Sequence, residues 1–318
     1  MKNFLISPIP KIQTLTMLQI ILLCFYFWCP LVLAADIEAN KMEILNTEEG
    51  KVTVFKDGVT ILDGDTKIMA RTARFYERKN LAIVQDSVKI TNPSGAISCD
   101  FADYYLDQRK TILRGSVSVI QESLEIMAPE LTVEYKKDKA IAKNGFTVIA
   151  KPHSLQITGK TGEYFLTKEE GTIDSLPYLE IKRTDTLKVS SQKLSFNNKQ
   201  TRALAWGKVK VETGNAVLQC DTLIYNWEKD SGVALGSPLL KEASNEATGK
   251  EIYFFTKDGE LQRIEIQGTA FGQYFNQQGD MVNITGESMN LLFSEGKTSS
   301  ITARNVNLGK LYRHEEKP

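Results

Sequence analysis

The sequence predicts an all-β chain in which about nine copies of a two-strand antiparallel unit follow one another. After the first 35 residues, apolar and polar side chains alternate at a spacing of two, and no stretch keeps an apolar 3.6-residue period over three turns. Small residues recur at intervals of about 30 residues, and apolar residues keep fixed distances from them. Polar turns separate the strands of each unit.

Four aligned columns define the repeat. The small residues are Ala39, Ala70, Cys99, Ala128, Gly159, Ser191, Cys220, Gly249 and Gly286. Two positions before them come Ile37, Ile68, Ile97, Ile126, Ile157, Val189, Leu218, Ala247 and Ile284. Three positions after them come Met42, Ala73, Ala102, Leu131, Gly162, Leu194, Leu223, Ile252 and Met289. Five positions after them come Ile44, Phe75, Tyr104, Val133, Tyr164, Phe196, Tyr225, Phe254 and Leu291.

Each unit consists of two strands, which we call the outgoing leg and the return leg. In the middle of each outgoing leg, the alternation of apolar and polar residues shifts by one position. The first two columns share one face of a strand. The last two columns also share a face, but they lie on the same side as the first two only if the backbone bends between the two pairs. A β-bulge produces such a bend, and small residues tolerate the backbone conformation that it requires. We therefore expect each leg to be a strand folded into a V, and the stacked legs to form two sheets that face each other and join along one edge.

The return legs carry a signature of their own. A turn-type residue is followed by apolar residues two and four positions later, as in Asp86, Val88 and Ile90. The turn-type residues are Asp57, Asp86, Gly115, Asn144, Pro177, Gly207, Gly236 and, less regularly, Gly268 and Arg304. The signature places a bend in the return legs as well.

The first 35 residues predict an export signal. Lys2 and Lys11 are their only charges, an apolar run covers residues 17–33, and Ala34 and Ala35 supply small residues for cleavage. We assign 1–35 to a signal peptide, with an uncleaved inner-membrane anchor as the alternative, because the run nearly reaches the ~18 residues of a membrane span. The repeat domain is assigned to 36–308 and a charged tail to 309–318. Either assignment predicts export of the repeat domain from the cytoplasm.

Composition argues against several functions. Lysine plus arginine equals aspartate plus glutamate at 39 each, so the formal net charge is zero and nothing favours nucleic acid. The two histidines, His153 and His314, have no partners at metal or triad spacing. Gly296-Lys297-Thr298 lacks the first glycine of a phosphate loop. We expect no enzyme activity, no metal and no cofactor.

Two other groups of residues have structural explanations. Asp100 and Asp103 form a close pair of carboxylates, as glycosidases use, but we expect both to be solvated surface residues. Cys99 and Cys220 occupy the same column four units apart, or roughly 38 Å at ~4.8 Å per strand. A disulfide needs Cα atoms within about 7 Å. We therefore expect two buried cysteines without an intramolecular bond.

Short phrases of the repeat resemble a known family. Residues 97–105 (ISCDFADYY) and 218–225 (LQCDTLIY) place aspartate after the small residue, and Gly-x-Val turns occur at 115–117 and 207–209. Together they resemble the OstA-like, or LptA-like, family of lipopolysaccharide transport proteins, although this chain has more repeats than the compact members. The resemblance covers nearly all of the mature chain as a repeat pattern.

The resemblance implies a periplasmic β-jellyroll, also called a β-taco, whose groove carries the acyl chains of lipopolysaccharide or a related lipid. It also implies end-to-end stacking with other jellyroll proteins of a transport bridge, from an inner-membrane transporter component to an outer-membrane translocon. Head-to-tail self-association is a further expectation.

The inward-facing columns are the candidate binding site. The residues assigned to the groove are Ile68, Phe75, Val88, Ile97, Tyr104, Val117, Ile126, Val133, Phe146, Ile157, Tyr164, Phe196, Val209, Leu218, Tyr225 and Phe254. The same columns also fit a dry core between two packed sheets, in a structural scaffold of the cell envelope. A parallel β-solenoid that acts on polysaccharide is the other alternative.

Overall fold

The computed structural model describes residues 36–313 apart from 49, 94, 122–123, 152–154, 166, 183–185, 198, 227, 258–259, 276–278 and 295–296. The predicted signal peptide and the histidines lie outside the described residues. Regular structure in the described part is β-strand, apart from two 3₁₀ turns at Glu77–Lys79 and Tyr135–Lys137. The strands are β1 (Asp36–Thr47), β2 (Gly50–Asp63), β3 (Thr66–Tyr76), β4 (Leu81–Asn92), β5 (Gly95–Tyr105), β6 (Lys110–Gln121), β7 (Leu124–Glu134), β8 (Lys139–Lys143), β9 (Phe146–Ala150), β10 (Leu155–Gly159), β11 (Thr161–Phe165), β12 (Glu170–Asp174), β13 (Tyr178–Ile181), β14 (Leu187–Ser190), β15 (Lys193–Asn197), β16 (Arg202–Thr213), β17 (Ala216–Asn226), β18 (Ser231–Leu235), β19 (Leu239–Glu242), β20 (Asn245–Thr248), β21 (Glu251–Lys257), β22 (Glu260–Phe275), β23 (Met281–Ser294), β24 (Lys297–Arg304) and β25 (Leu308–Tyr312).

The strands pair antiparallel throughout the described part of the chain. The long strands β2 to β7 pair in sequence order, each with the strand before it and the strand after it. The remaining pairs, from β7–β8 to β23–β25, have the same antiparallel sense. A parallel β-solenoid, one of the alternatives left by the sequence, does not describe this chain.

A shift of register bends each pair of long strands at its middle. Between β4 and β5, Gln85 lies opposite Phe101 and Val88 lies opposite Cys99, so two residues of β4 face one residue of β5. This is a β-bulge, and it accounts for the change of parity in the sequence. Pairs of residues with positive φ recur at the bends: Asp57–Gly58, Asp86–Ser87, Gly115–Ser116, Asn144–Gly145, Ser175–Leu176, Gly207–Lys208, Gly236–Ser237 and Gly268–Thr269.

The structure corrects the turn-type column in two return legs. The sequence places Pro177 there, but the left-handed pair is Ser175–Leu176, and Pro177 follows it. The reason is that the proline ring fixes φ near −65° and so excludes the left-handed conformation. In the last return leg the residue with positive φ is Asn305 rather than Arg304, and asparagine adopts that conformation more readily than arginine.

The end of the repeat domain also lies further along the chain than predicted. β25 runs to Tyr312 and pairs with residues 281–285 of β23. Residues 309–312 therefore belong to the sheet and not to a charged tail. Residues 308–312 are too few to show a clear strand alternation, so the sequence did not separate a short edge strand from a tail.

The bends divide the strands into two facing sheets. Between β7 and β16 each leg is interrupted, so that its two halves are separate strands. The pairings close into a ring of ten antiparallel strands, in the order β7, β8, β11, β12, β15, β16, β14, β13, β10 and β9. β8, β11, β12 and β15 belong to one sheet, which we call the second sheet, and β9, β10, β13 and β14 belong to the first sheet. Because β7 and β16 run through both sheets, the ring encircles the interrupted bends.

One apolar core lies between the two sheets and runs along the stack. It extends from Val59 in β2 to Leu291 in β23, with residues of both sheets in contact. The four columns of the sequence repeat contribute to it together, as the unit of Ile97, Cys99, Ala102 and Tyr104 illustrates. The predicted columns therefore face the interior of the stack.

Candidate functional site

A row of aromatic rings lines the inner face of the second sheet, near the free ends of its strands. Tyr164 and Phe196 stack with their ring centroids 6.3 Å apart, and Tyr225 and Phe254 with theirs 6.0 Å apart. The rings belong to successive outgoing legs. Stacked aromatic rings attract each other, and this attraction stabilises them in addition to the burial of their apolar area.

Small residues on the return legs make room for these rings. Gly171 pairs with Phe196, and a Cβ at Gly171 would lie 2.5 Å from a carbon of that ring. Gly232 has the same relation to Phe254. The row of small residues is Ala82, Thr111, Ala140, Gly171, Ala203 and Gly232. The sequence analysis missed this row, although its spacing of 29 to 32 residues is visible in the sequence.

The structure brings the predicted groove residues together in the interior. All except Phe75 and Tyr225 belong to the two apolar clusters between the sheets, and those two are half-buried. The valines beside the bends are the most deeply buried, for example Val88 and Val209. The aromatic residues nearer the free ends of the strands, such as Tyr104 and Phe254, are only half-buried. Exposure varies along this column of side chains, because Val133 and Tyr164 are only 5% and 6% exposed.

Loss of water around the inward-facing tyrosine and cysteine side chains raises their pKa. Desolvation raises the pKa of Tyr104 and Tyr164 above the usual value and that of Tyr135 to about 12. It also raises the pKa of the Cys99 thiol to about 12 and that of Cys220 to about 11. Both cysteines are buried and unbridged. They stay protonated at neutral pH and are therefore poor nucleophiles.

An apolar cavity lies between the two sheets toward the C-terminal end. Its volume is about 50 Å³, and it is partly open to solvent. Its cause is a local loss of side-chain volume, because Ala247 pairs with Gly272 in an inward-facing row that carries Ile, Val or Leu in most other legs. The cavity is lined by Ala216, Leu240, Glu242, Asn245, Glu246, Ala247, Leu261, Ile264, Gly272, Gln273, Tyr274, Ile284, Met289, Leu291, Phe293, Thr298 and Ile301.

The two carboxylates Asp100 and Asp103, which the sequence analysis paired, differ in their exposure to solvent. Asp100 is exposed, as expected. Asp103 is only 3% exposed and forms an ion pair with Arg114, so its assignment as a solvated residue was wrong. It lies opposite Ile83 and Ile112 on the outer face of the second sheet, where the long Arg114 side chain covers it. The pair is thus outside the apolar interior.

The two ends of the stack expose inward-facing residues. In β1, the exposed fractions of Ile37, Met42 and Ile44 are 43%, 56% and 53%, because no strand of the described part lies beyond them. Leu311 is exposed in the same way in β25 at the opposite end. The interior of the stack is therefore uncovered at both ends of the described chain.

Charges at the two ends differ in sign. β1 carries Asp36, Glu38 and Glu43 against a single Lys41. Hydrogen bonds from Lys41 and Lys56 lower the pKa of Glu43 to about 2, so this carboxylate stays ionised. Residues 297–313, by contrast, contain four basic residues and no acidic ones. The acidic edge and the basic edge are complementary.

Within the part of the chain that the structure describes, no helix is long and apolar enough to cross a bilayer. The same residues contain no cluster of three or more side chains suited to a metal ion.

Solved structures that resemble this chain include two distant ones, described below. No protein-family model matches the sequence, and no curated protein shows significant sequence similarity. LptH of Pseudomonas aeruginosa, the LptA-homologous periplasmic component of a lipopolysaccharide transport device, shares 16% identity at a TM-score of 0.20, over 41% of this chain and 73% of LptH. The WD40 domain of SCAP from fission yeast shares 9% identity at a TM-score of 0.13, over 89% and 91% of the two chains. At these values neither protein indicates the function of this chain.

Proposed function

We propose that this chain is a periplasmic lipid-binding protein of lipopolysaccharide transport, with a β-jellyroll fold whose apolar interior holds acyl chains. The observation that carries the proposal is the continuous apolar interior between the two sheets, which is uncovered at both ends of the described chain and contains a cavity lined mainly by apolar side chains. Each methylene that moves from water into such a space contributes about 0.8 kcal/mol. The sugars and phosphates of the lipid remain outside, in water.

The proposal includes no catalysis and no cofactor. The two inward-facing thiols are protonated, and the one buried carboxylate with an ion-pair partner, Asp103, is on the outer face. Directional movement of lipid draws, in this proposal, on an energy source outside this chain. An inner-membrane transporter component supplies it in this proposal, and residues 1–35 direct export to the periplasm or anchor the chain to the inner membrane.

The exposed edges are the proposed contacts with other jellyroll proteins of the bridge, including an outer-membrane translocon. In the described residues β1 pairs only with β2, and β25 only with β23, so each edge offers backbone groups to a further strand. Strand addition at such an edge continues the sheets and the apolar interior into the partner. The opposite charges of the two edges favour head-to-tail pairing, including pairing between copies of this chain.

Reversing charge at the basic edge should weaken self-association. We expect the double variant Lys310→Glu, Arg313→Glu to sediment as a smaller species than the unmodified protein at low salt, because like charges then meet at the contact. Reversing Lys210 and Lys241, which lie in the middle of the stack, is the matched control. Equal self-association of both double variants would contradict an electrostatic head-to-tail contact.

A charge placed inside the cavity should abolish lipid binding. Ile284 lines the cavity, and its neighbour Thr285 points to the opposite face of the same strand. We expect protein purified with Ile284→Asp to lose lipid detectable by extraction and mass spectrometry, whereas Thr285→Asp retains it. An uncompensated charge in an apolar space costs several kcal/mol, well above the gain from a few methylenes. Absence of lipid from the unmodified, folded protein would favour the dry scaffold instead.

A further inference from the structure

We infer, on the basis of the proposed lipid-binding function, that Glu242 and Thr298 form a latch that closes the mouth of the cavity and controls the entrance of an acyl chain. Thr298 Oγ1 donates a hydrogen bond to Glu242 Oε2 at 3.1 Å. The two residues are 56 positions apart in the sequence. Glu242 ends β19 in the first sheet, whereas Thr298 is near the start of β24 in the second sheet.

The position of both residues in their strands places the bond at the mouth. The bend of the return leg that contains Glu242 is at Gly236–Ser237, and a hairpin turn follows Glu242 directly. Thr298 follows the hairpin that joins β23 to β24, and its own leg bends later, at Asn305. Both residues are therefore at the free ends of their legs, on the side away from the joined edge. A bond between them connects the two sheets where they would otherwise be separate.

The bond differs in direction from hydrogen bonds between neighbouring legs. Asn197 bonds to Glu170, and Thr201 to Glu228, at sequence separations of 27, and these bonds run along one sheet. The bond from Thr298 to Glu242 instead crosses from one sheet to the other. Since β19 and β24 are not paired with each other or with a common strand, backbone pairing does not hold these two residues together.

The floor of the cavity beneath the bond is apolar. Leu240, Ile264, Ile284 and Met289 line it, and both latch residues belong to its boundary. An acyl chain that enters sideways between the free ends must separate the two sheets locally and break this bond. A single hydrogen bond of this kind is weak enough to open by thermal motion, so it slows the entrance of a chain without sealing the cavity.

The test uses an uncharged probe, N-phenyl-1-naphthylamine, whose fluorescence rises in apolar surroundings, so that the charge of Glu242 does not itself affect binding. Thr298→Val removes the donor while keeping the shape, and we expect about two- to tenfold faster uptake in stopped flow. Thr298→Ser keeps the hydroxyl and should take up the probe at the rate of the unmodified protein. Thr302→Val, at an exposed position of the same strand, is the matched control.

A covalent crosslink between the two latch positions tests whether holding the latch closed slows uptake of the probe. Glu242→Cys and Thr298→Cys, in a chain with Cys24, Cys29, Cys99 and Cys220 replaced by alanine, would be joined by a short bis-maleimide that alkylates both thiols. We expect several-fold slower uptake after joining than after capping each thiol with N-ethylmaleimide. Uptake at one rate in the unmodified, Thr298→Val and locked proteins would overturn the latch and leave the lipid-binding proposal standing. A folded, unmodified protein that takes up no probe would overturn both.

Discussion

Replacing Ile266 by alanine should lower the free energy of unfolding by about 2–5 kcal/mol. Ile266 has no solvent exposure, and it faces the interior between Ile252 and Met289 on the adjacent strands. Its Cγ2 lies over Gly249, 2.5 Å from where a Cβ would be. Truncation therefore leaves a cavity that neighbouring backbone cannot fill. Urea denaturation followed by circular dichroism measures the change.

Leu292→Ala is the matched control for Ile266→Ala. Leu292 lies in β23 and is 43% exposed, so its truncation should change the free energy of unfolding by no more than about 0.5–1 kcal/mol. A loss at Leu292 as large as that at Ile266 would mean that the interior between the two sheets is not where the stability of the fold resides.

Replacing Gly232 by alanine should destabilise the protein by about 1–3 kcal/mol. The added methyl would overlap the ring of Phe254 and would lie 2.6 Å from the carbonyl oxygen of Ile224. The ring is already stacked on Tyr225 and cannot rotate away without losing that contact. Thermal and urea unfolding of the variant measure the effect.

Gly309→Ala gives the control for Gly232→Ala, because a Cβ at Gly309 meets no atom within 4 Å. We expect it to leave stability within about 0.5 kcal/mol of the unmodified protein. The double variant Gly232→Ala, Phe254→Leu separates the two sources of overlap. Partial recovery in the double variant identifies the ring, whereas no recovery identifies the carbonyl of Ile224 as the dominant clash.

The placement of the inward-facing side chains could be predicted from the sequence because strand periodicity and the bend together determine which face each residue occupies. Val88 and Val209, for example, follow a turn-type residue by two positions, and both are almost completely buried beside a bend. The offset at Pro177 could not be predicted in the same way. A proline and a left-handed residue both mark a break in a strand, and only the backbone dihedral angles separate them.

Side-chain contacts between different legs could not be predicted from the sequence. Asp103 is buried because Arg114 on the next strand covers it, and no spacing within one leg reveals that pairing. The bond between Glu242 and Thr298 depends on how the two sheets approach at their free ends. The sequence indicated part of the cavity, because Ala247 stands in a column that otherwise holds isoleucine, valine or leucine. Its partner Gly272 lies on a return leg with no regular signature, so the second half of the lost volume could not be predicted.

Site-specific photocrosslinking tests the central claim most directly. A benzophenone amino acid would replace Tyr104 or Phe196, both aromatic and inward-facing, and Lys137 in a polar turn, in protein expressed in a Gram-negative host. The lipid-groove account predicts crosslinks to lipopolysaccharide from Tyr104 and Phe196 and none from Lys137. Exported, folded protein that gives no lipid crosslink from either interior position would contradict it and would favour a dry structural scaffold.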